Sequence, residues 1–306
     1  MSDWNHATES FGNSQYQRLL LIAEQRQWSF SNDLPWDSQN LFVTSCSDNK
    51  IANPLYGFAP YNNLCDQERA CVDRERHRLE LSEVLHGEVL AMQVAAQLVN
   101  LLEDPQAQKF AAAQVADEAR HISFFQHYLY QHNLQVAPPS HGLHKFAETV
   151  LHDCDWRHKI LHCQIIIESL ALAQFSWLRT TRIPVVLDAG LARILEDEAR
   201  HVKFGVVALD TYFRELVDSQ KEHYANYVLD SVMSLSPADN HLVQLADQWN
   251  WNPCDLRHHL RARRLRFPKL YQSRFRQLSL NLRKIGLLTP GAITRLQKWL
   301  GNTCPG

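Results

Sequence analysis

The string Asp-Glu-Ala-Arg-His occurs twice in this chain of 306 residues, at 117–121 and again at 197–201. Each copy carries a Glu and a His three residues apart, Glu118 with His121 and Glu198 with His201, and that spacing puts both on one face of a helix. Another Glu stands 30 residues before each of these, Glu88 before Glu118 and Glu168 before Glu198, and both lie in apolar runs. A single Glu-x-x-His on a helix is ordinarily a surface pair. Two copies with matched upstream Glu residues are not, because a carboxylate in apolar surroundings is costly without a partner. Four carboxylates and two imidazoles in this layout form the ligand set of a dinuclear metal site inside a four-helix bundle. Mixed oxygen and nitrogen donors without thiolate favour iron or manganese over structural zinc. The expected cofactors are two irons (Fe/Fe, with Mn/Fe as the alternative), and O2 is the expected co-substrate.

Asp117 and Asp197 precede two of these Glu residues. A ligand imidazole needs its second ring nitrogen fixed by an acceptor, and these two Asp are the candidates for that task. Arg120 and Arg200 would offset the excess of negative charge. His158 and His162 have i, i+4 spacing but no carboxylates around them, so they read as core-edge residues, and Cys163 reads as packing. Gln93, Gln97, Phe125, Tyr128, Phe175, Trp177 and Tyr212 fall near the height of a pocket; each alone reads as core filler.

The elements that must hold these groups are legible from periodicity. Helices are expected over 67–102, 105–132, 145–181 and 185–219, with breaks at Glu103-Asp104-Pro105 and at Ile183-Pro184. In an antiparallel pair, residues equidistant from the turn share a height. The midpoints of 88 with 118 and of 168 with 198 are 103 and 183, which fall in the two breaks. Fifteen helical residues on either side span about 22 Å, so both Glu pairs meet deep in the bundle. The two hairpins align without a gap at an offset of 80, matching Leu90 with Leu170, Ala91 with Ala171 and Phe124 with Phe204. That internal repeat implies a pseudo-two-fold axis, with the linker around 133–145 crossing the length of the bundle.

The chain therefore divides into an irregular, aromatic N-terminal wrap (1–64), an all-α four-helix bundle (65–236) and a basic helical C-terminal extension packed on it (237–306). Helices are expected over 239–252 and 253–277, with a last short one near the end. From Arg257 to Lys298 there are 12 Lys or Arg and no Asp or Glu. A solvated amphipathic face explains this run better than a polynucleotide-binding tail.

A formal net charge of −2 gives no reason to expect nucleic acid as a partner. The 7 Cys are scattered without a C-x-x-C pair and read as reduced thiols. The N-terminus lacks the pattern of a signal peptide, and no unbroken run of 18 apolar residues occurs. A cytoplasmic protein with no membrane contact is expected.

Through these residues the chain resembles the ferritin-like diiron-carboxylate superfamily over about 80–215. Its appearance is closest to the bacterial p-aminobenzoate N-oxygenase-like diiron oxygenases, through Asp-Glu-Ala-Arg-His-Val-Lys-Phe-Gly at 197–205. The resemblance implies a ferritin-like bundle, Glu88, Glu118, His121, Glu168, Glu198 and His201 as metal ligands and catalytic residues, and oxidation of an amine or a C–H bond by activated O2. Several relatives depart from this chain. Phe125 occupies the place of the radical tyrosine of ribonucleotide reductase small subunits, whose first ligand is typically Asp where this chain has Glu88. Leu172 replaces the Thr of multicomponent hydroxylases, and Ile194 the additional ligand His of arylamine N-oxygenases.

The expected function is O2-dependent oxidation of a small organic substrate, in a biosynthetic pathway, with electrons from an external donor such as a ferredoxin or reductase. A ferroxidase or other iron-handling protein is the alternative, and a non-catalytic bundle that binds through its basic helices is a third reading. A homodimer is left open.

Overall fold

The computed structural model describes residues 14–37, 53–181, 183–235 and 240–299. Among them no strand forms, and the fold is all-α. Four long helical segments make the bundle. The first is α3 (Asp66–Leu101), preceded by α1 (Gln15–Gln25) and the single turn α2 (Ala59–Asn62). The second is α4 (Pro105–Gln131). The third is composite: α6 (Trp156–Ile160), a π-helical stretch Leu161–Ile167 and α7 (Glu168–Leu178). The fourth is α8 (Val185–Glu215).

Local chemistry fixes the ends. Cys65 N–H donates to Glu68 Oε2 at 2.8 Å in a capping box that opens α3. Asp104 accepts from the N–H groups of Gln106 and Ala107, at 2.7 and 3.0 Å, and Pro105 stands in the first turn of α4, where its missing N–H is not needed. One apolar cluster with Val94, Phe110, Ile165 and Phe204 and another with Leu85, Phe125, Phe175 and Ile194 fill the bundle. Ligand-bearing residues of all four segments lie between neighbours of these two clusters. Gly190 of α8 lets the Phe124 ring approach so closely that a Cβ there would lie 2.1 Å from it.

Several expected elements differ. The N-terminal segment is not wholly irregular: α1 packs on α4 and α8, because Leu19 and Ala23 form an apolar stripe that is buried there. Residues 1–13 and 38–52 of that region lie outside the described residues. The third helix does not run unbroken over 145–181. A separate α5 (His141–His152) starts earlier, capped by Ser140, and Asp155 caps a new start by accepting from Arg157 N–H at 2.8 Å. The fourth helix ends at Glu215, and a further helix, α9 (Asp218–Leu235), covers the bundle with Ala225, Val228, Leu229 and Val232.

The C-terminal region is more broken than expected. Residues 240–252 form a 3₁₀ turn (Asn240–Val243) and the short α10 (Gln244–Gln248) instead of one helix. Pro268 divides 253–277 into α11 (Pro253–Arg266) and α12 (Pro268–Lys284), as a proline cannot continue the hydrogen-bond ladder; α13 (Pro290–Trp299) follows. The α12 helix buries Phe275, Leu278 and Leu282, and Asn281 Nδ2 donates to Ser169 Oγ of α7 at 2.9 Å. Its Arg276, Arg283 and Lys284 are exposed. Although no unbroken apolar run of that length exists, α3 and the segment Trp156–Leu178 each contain an 18-residue window of mean hydropathy 1.2, enough to cross a membrane by length and composition alone. In this fold these two segments carry Glu88 and Glu168 into the bundle.

Candidate metal centre

The six expected residues come together from four helical segments. Glu88 (α3), Glu118 and His121 (α4), Glu168 (α7), and Glu198 and His201 (α8) are all buried, with at most 5% of any one exposed. Their donor atoms form two overlapping quartets, each with all its atoms within 4.8 Å of one another: Glu88, Glu118, His121 and Glu198 in one, and Glu118, Glu168, Glu198 and His201 in the other. Glu118 and Glu198 belong to both, so they are the carboxylates placed to bridge. Glu88 and Glu168 each belong to one quartet and stand at its end.

The imidazoles present Nδ1 to the cluster. His121 Nδ1 lies 3.1 Å from Glu118 Oε2, 3.3 Å from Glu88 Oε2 and 3.3 Å from Glu198 Oε1. His201 Nδ1 lies 3.1 Å from Glu118 Oε1 and 3.2 Å from Glu198 Oε2. The opposite ring atoms meet the two Asp in a crossed arrangement. His121 Nε2 pairs with Asp197 Oδ2 at 3.0 Å, and His201 Nε2 with Asp117 Oδ2 at 3.3 Å. Each hairpin thus supplies the Asp that orients the other hairpin's imidazole. Arg200 Nη2 spans Asp197 Oδ1 at 2.5 Å and Asp117 Oδ2 at 3.2 Å, while Arg120 pairs with Asp117. Two Asp and two Arg cancel in formal charge, so the arginines balance the orienting aspartates and leave the four Glu unbalanced.

The electrostatics have one theme. Burial, then repulsion from Glu198, pushes Glu88 and Glu168 well above the usual carboxylate range. Burial also opposes charge on Glu118 and on the two imidazoles, but their mutual pairing outweighs it: Glu118 is held well below its usual range, and His121 and His201 well above theirs. Asp197 is held low against its burial by His121 and by Trp28, whose Nε1 donates to Asp197 Oδ2 at 2.9 Å. Glu198 Oε1 is buried and makes no well-aligned hydrogen bond, with His121 Nδ1 3.3 Å away, and four carboxylates match the charge of two divalent ions. The donor set fits a dinuclear centre of iron or manganese.

Three contributors were not evident from sequence. Gln114 is wholly buried, and its Nε2 donates to Glu118 Oε1 at 3.0 Å and to Glu168 Oε1 at 3.1 Å, tying the third segment to the second. Gln164 Nε2 in turn donates to Gln114 Oε1 at 3.1 Å. Gln114 precedes Glu118 by four residues, on the ligand face, and its counterpart at the offset of 80 is Ile194; that broken match was the available signal. Trp28 is the third. Cys163 does more than fill space: its thiol faces Glu168 Oε1 at 3.8 Å, and burial raises its pKa well above the ordinary thiol value, which keeps it protonated. Contrary to the expectation of no carboxylate near this pair, His158 meets Asp153 at 2.9 Å, while His162 meets Ser231 at 3.0 Å; neither belongs to a quartet. Of the core aromatics, Phe175 lines a cavity of about 150 Å³ that reaches Glu88 and Glu168.

The π-helical stretch ends directly before Glu168. Its counterpart at the offset of 80, Leu81–Gly87, is ordinary α-helix. The pseudo-symmetry therefore holds through the ligands and breaks just before Glu168, where the cavity opens. A π-turn shifts the residues that precede it around the helix axis, a feature common at functional sites.

A four-helix bundle enclosing a buried cluster of four carboxylates and two imidazoles defines the class: a ferritin-like, diiron-carboxylate oxidoreductase. Within that class the chain belongs to the p-aminobenzoate N-oxygenase AurF family, whose sequence description matches residues 12–242. Solved structures with the same fold include two variants of R2-like ligand-binding oxidase. One, with an aerobically reconstituted Mn/Fe cofactor, is 14% identical, with a TM-score of 0.57 over 90% of this chain and 94% of that one. The other, with an anaerobically reconstituted Mn/Fe cofactor, is 15% identical, with a TM-score of 0.58 over 89% and 93%. No curated protein matches the chain by sequence.

Proposed function

We propose that the protein is an O2-activating non-haem diiron oxygenase that oxidises a small organic substrate, by amine N-oxygenation or C–H oxidation, in a cytoplasmic biosynthetic pathway. The observation that carries this reading is the pair of overlapping donor quartets opening onto one apolar cavity. Glu88 and His121 would hold one metal and Glu168 and His201 the other, with Glu118 and Glu198 shared. The metal pair, Fe/Fe or Mn/Fe, supplies when bound the electrons that reduce O2 and the oxidising power that reaches the substrate.

The chain's own residues do the rest. Asp117 and Asp197 fix the imidazoles, Gln114 holds Glu118 and Glu168 at a set separation, and the two apolar clusters keep water from the reacting atoms. The family membership supports an oxygenase over a ferroxidase, and so does a cavity that offers an organic molecule access to Glu88 and Glu168. An external donor such as a ferredoxin or reductase would return the electrons.

The test is to load the protein with Fe(II), supply a chemical reductant and ¹⁸O2, and screen amines and hydrocarbons by mass spectrometry. The expected result is a product carrying ¹⁸O, with O2 uptake stimulated by that substrate. Oxidation of many irons per chain to mineral, with no organic co-substrate, would establish the ferroxidase reading instead.

A further inference from the structure

The two ends of the centre carry the same ligand types and are held by different neighbours. At one end Glu168 Oε1 accepts from Gln114 Nε2 at 3.1 Å and faces the Cys163 thiol at 3.8 Å. The same Nε2 donates at 3.0 Å to Glu118 Oε1, the oxygen that lies 3.1 Å from His201 Nδ1. One amide thus fixes two carboxylates of the Glu168–His201 position. At the other end, the hydrogen-bond partner of Glu88 among the described residues is the ligand imidazole His121, at 3.3 Å. A metal on that nitrogen would leave Glu88 without a donor from the protein.

Gln114 is not free to rotate its amide. Its Oε1 accepts from Gln164 Nε2 at 3.1 Å, and a reversed amide would lose that bond and turn an oxygen onto two carboxylates. Both glutamines are wholly buried. Gln164 and Cys163 belong to the π-helical stretch, so the break in α-helical geometry before Glu168 carries groups that anchor it. At the offset of 80 the counterparts are Ile194 for Gln114, Val84 for Gln164 and Glu83 for Cys163. Two of these are hydrocarbon, and Glu83 turns to Ser140, whose N–H donates to it at 2.8 Å. The anchoring is therefore built at one end only.

We infer that Gln114 is a positioning residue that makes the two metal positions unequal: the Glu168–His201 position fills first, and the Glu88–His121 position is the weaker, exchangeable one. The inference rests on the dinuclear reading of the site and not on its oxygen chemistry. A hydrogen bond to a coordinating carboxylate holds it in the orientation the metal needs, and loss of such an outer partner typically costs about 10–100-fold in affinity. Glu118 is shared, but Gln114 meets the oxygen on its His201 side, so the effect falls on one position more than on the other.

Anaerobic Fe(II) binding to the full-length apoprotein tests this without turnover, with crystals at one equivalent of iron read by anomalous diffraction to place it. Wild type should bind two irons in steps separated by at least about tenfold, the first at the Glu168–His201 position. Gln114→Leu should weaken that position by about 10–100-fold and leave the other within about threefold, so that the first iron no longer favours it. A glutamine that merely packed the core would, when removed, weaken both positions alike and keep their order. The double variant Gln114→Leu/Gln164→Leu removes both partners of the amide pair, a change that costs little stability, and it should give the same result if the single variant does not fold. Equal filling in wild type, first occupancy at the Glu88 end, or an unchanged order in either folded variant would overturn the inference. Uptake of one iron in all would overturn it together with the dinuclear reading. Failure to oxidise any organic substrate, with the order of filling intact, would count against the oxygenase reading alone.

Discussion

The crossed Asp–His pairs carry the most specific consequence at the scale of single residues. Asp197 lies on the same helix as His201 yet touches His121, so its loss should disturb the centre at the far quartet. Replacing Asp197 with Asn keeps the shape but removes the charged acceptor that fixes the imidazole, and such outer partners typically set metal affinity by about 10–100-fold. The expected outcome is loss of occupancy at the Glu88–His121 position first, read as anomalous density in crystals of the metal-loaded variant. Loss confined to the Glu168–His201 position would show that the orientation runs along each helix and not across the pair. That these six residues would cluster was legible from sequence because a Glu in an apolar run is conspicuous and because both hairpins repeat it. The crossing was not, since it depends on how α4 and α8 face each other, which spacing within either helix does not report.

Among the elements, Gly87 and Gly190, both in helix interiors, make opposite predictions. Gly87 faces open cavity space, while Gly190 is packed against the Phe124 ring. Gly87→Ala should stabilise the protein by about 0.5–1 kcal/mol through helix propensity. Gly190→Ala should destabilise it by about 1–3 kcal/mol, because the added methyl overpacks the core. Denaturant unfolding of the two variants tests both signs, and a destabilised Gly87→Ala would mean that the space beside Glu88 is closed.

Periodicity located the long helices but could not see their interruptions. Leu161–Ile167 is mostly apolar, as a buried α-helix would be, so nothing in its composition announces a π-turn. The break that Asp155 caps before α6 was not anticipated, and α5 on its far side packs separately against α3. His241 belongs to no periodic pattern, and only the folding of the 3₁₀ turn back onto α3 brings it to the cavity wall.

For the molecule as a whole, the metal pair should be a stabilising partner but not a folding requirement. The two apolar clusters around the centre are large, and the apo cluster is held by internal carboxylate–imidazole pairs. Helical content by circular dichroism should therefore survive chelation. Metal at 100 times its Kd adds about 2.7 kcal/mol, which for a domain of this size raises Tm by roughly 5 °C. A chelated protein that lost its helices would mean that the metal is needed for folding itself.

A dinuclear centre with Glu118 and Glu198 shared between two positions is tested most directly by anaerobic Fe(II) titration with elemental analysis. Wild type should take up two irons per chain, matching the two quartets. Glu88→Ala and Glu168→Ala should each remove about one iron, whereas Glu118→Ala and Glu198→Ala should each weaken both positions, as expected for bridging carboxylates between two ions. A wild-type stoichiometry of one, or Glu118→Ala and Glu198→Ala variants that still hold two irons with unchanged affinity, would contradict the shared centre.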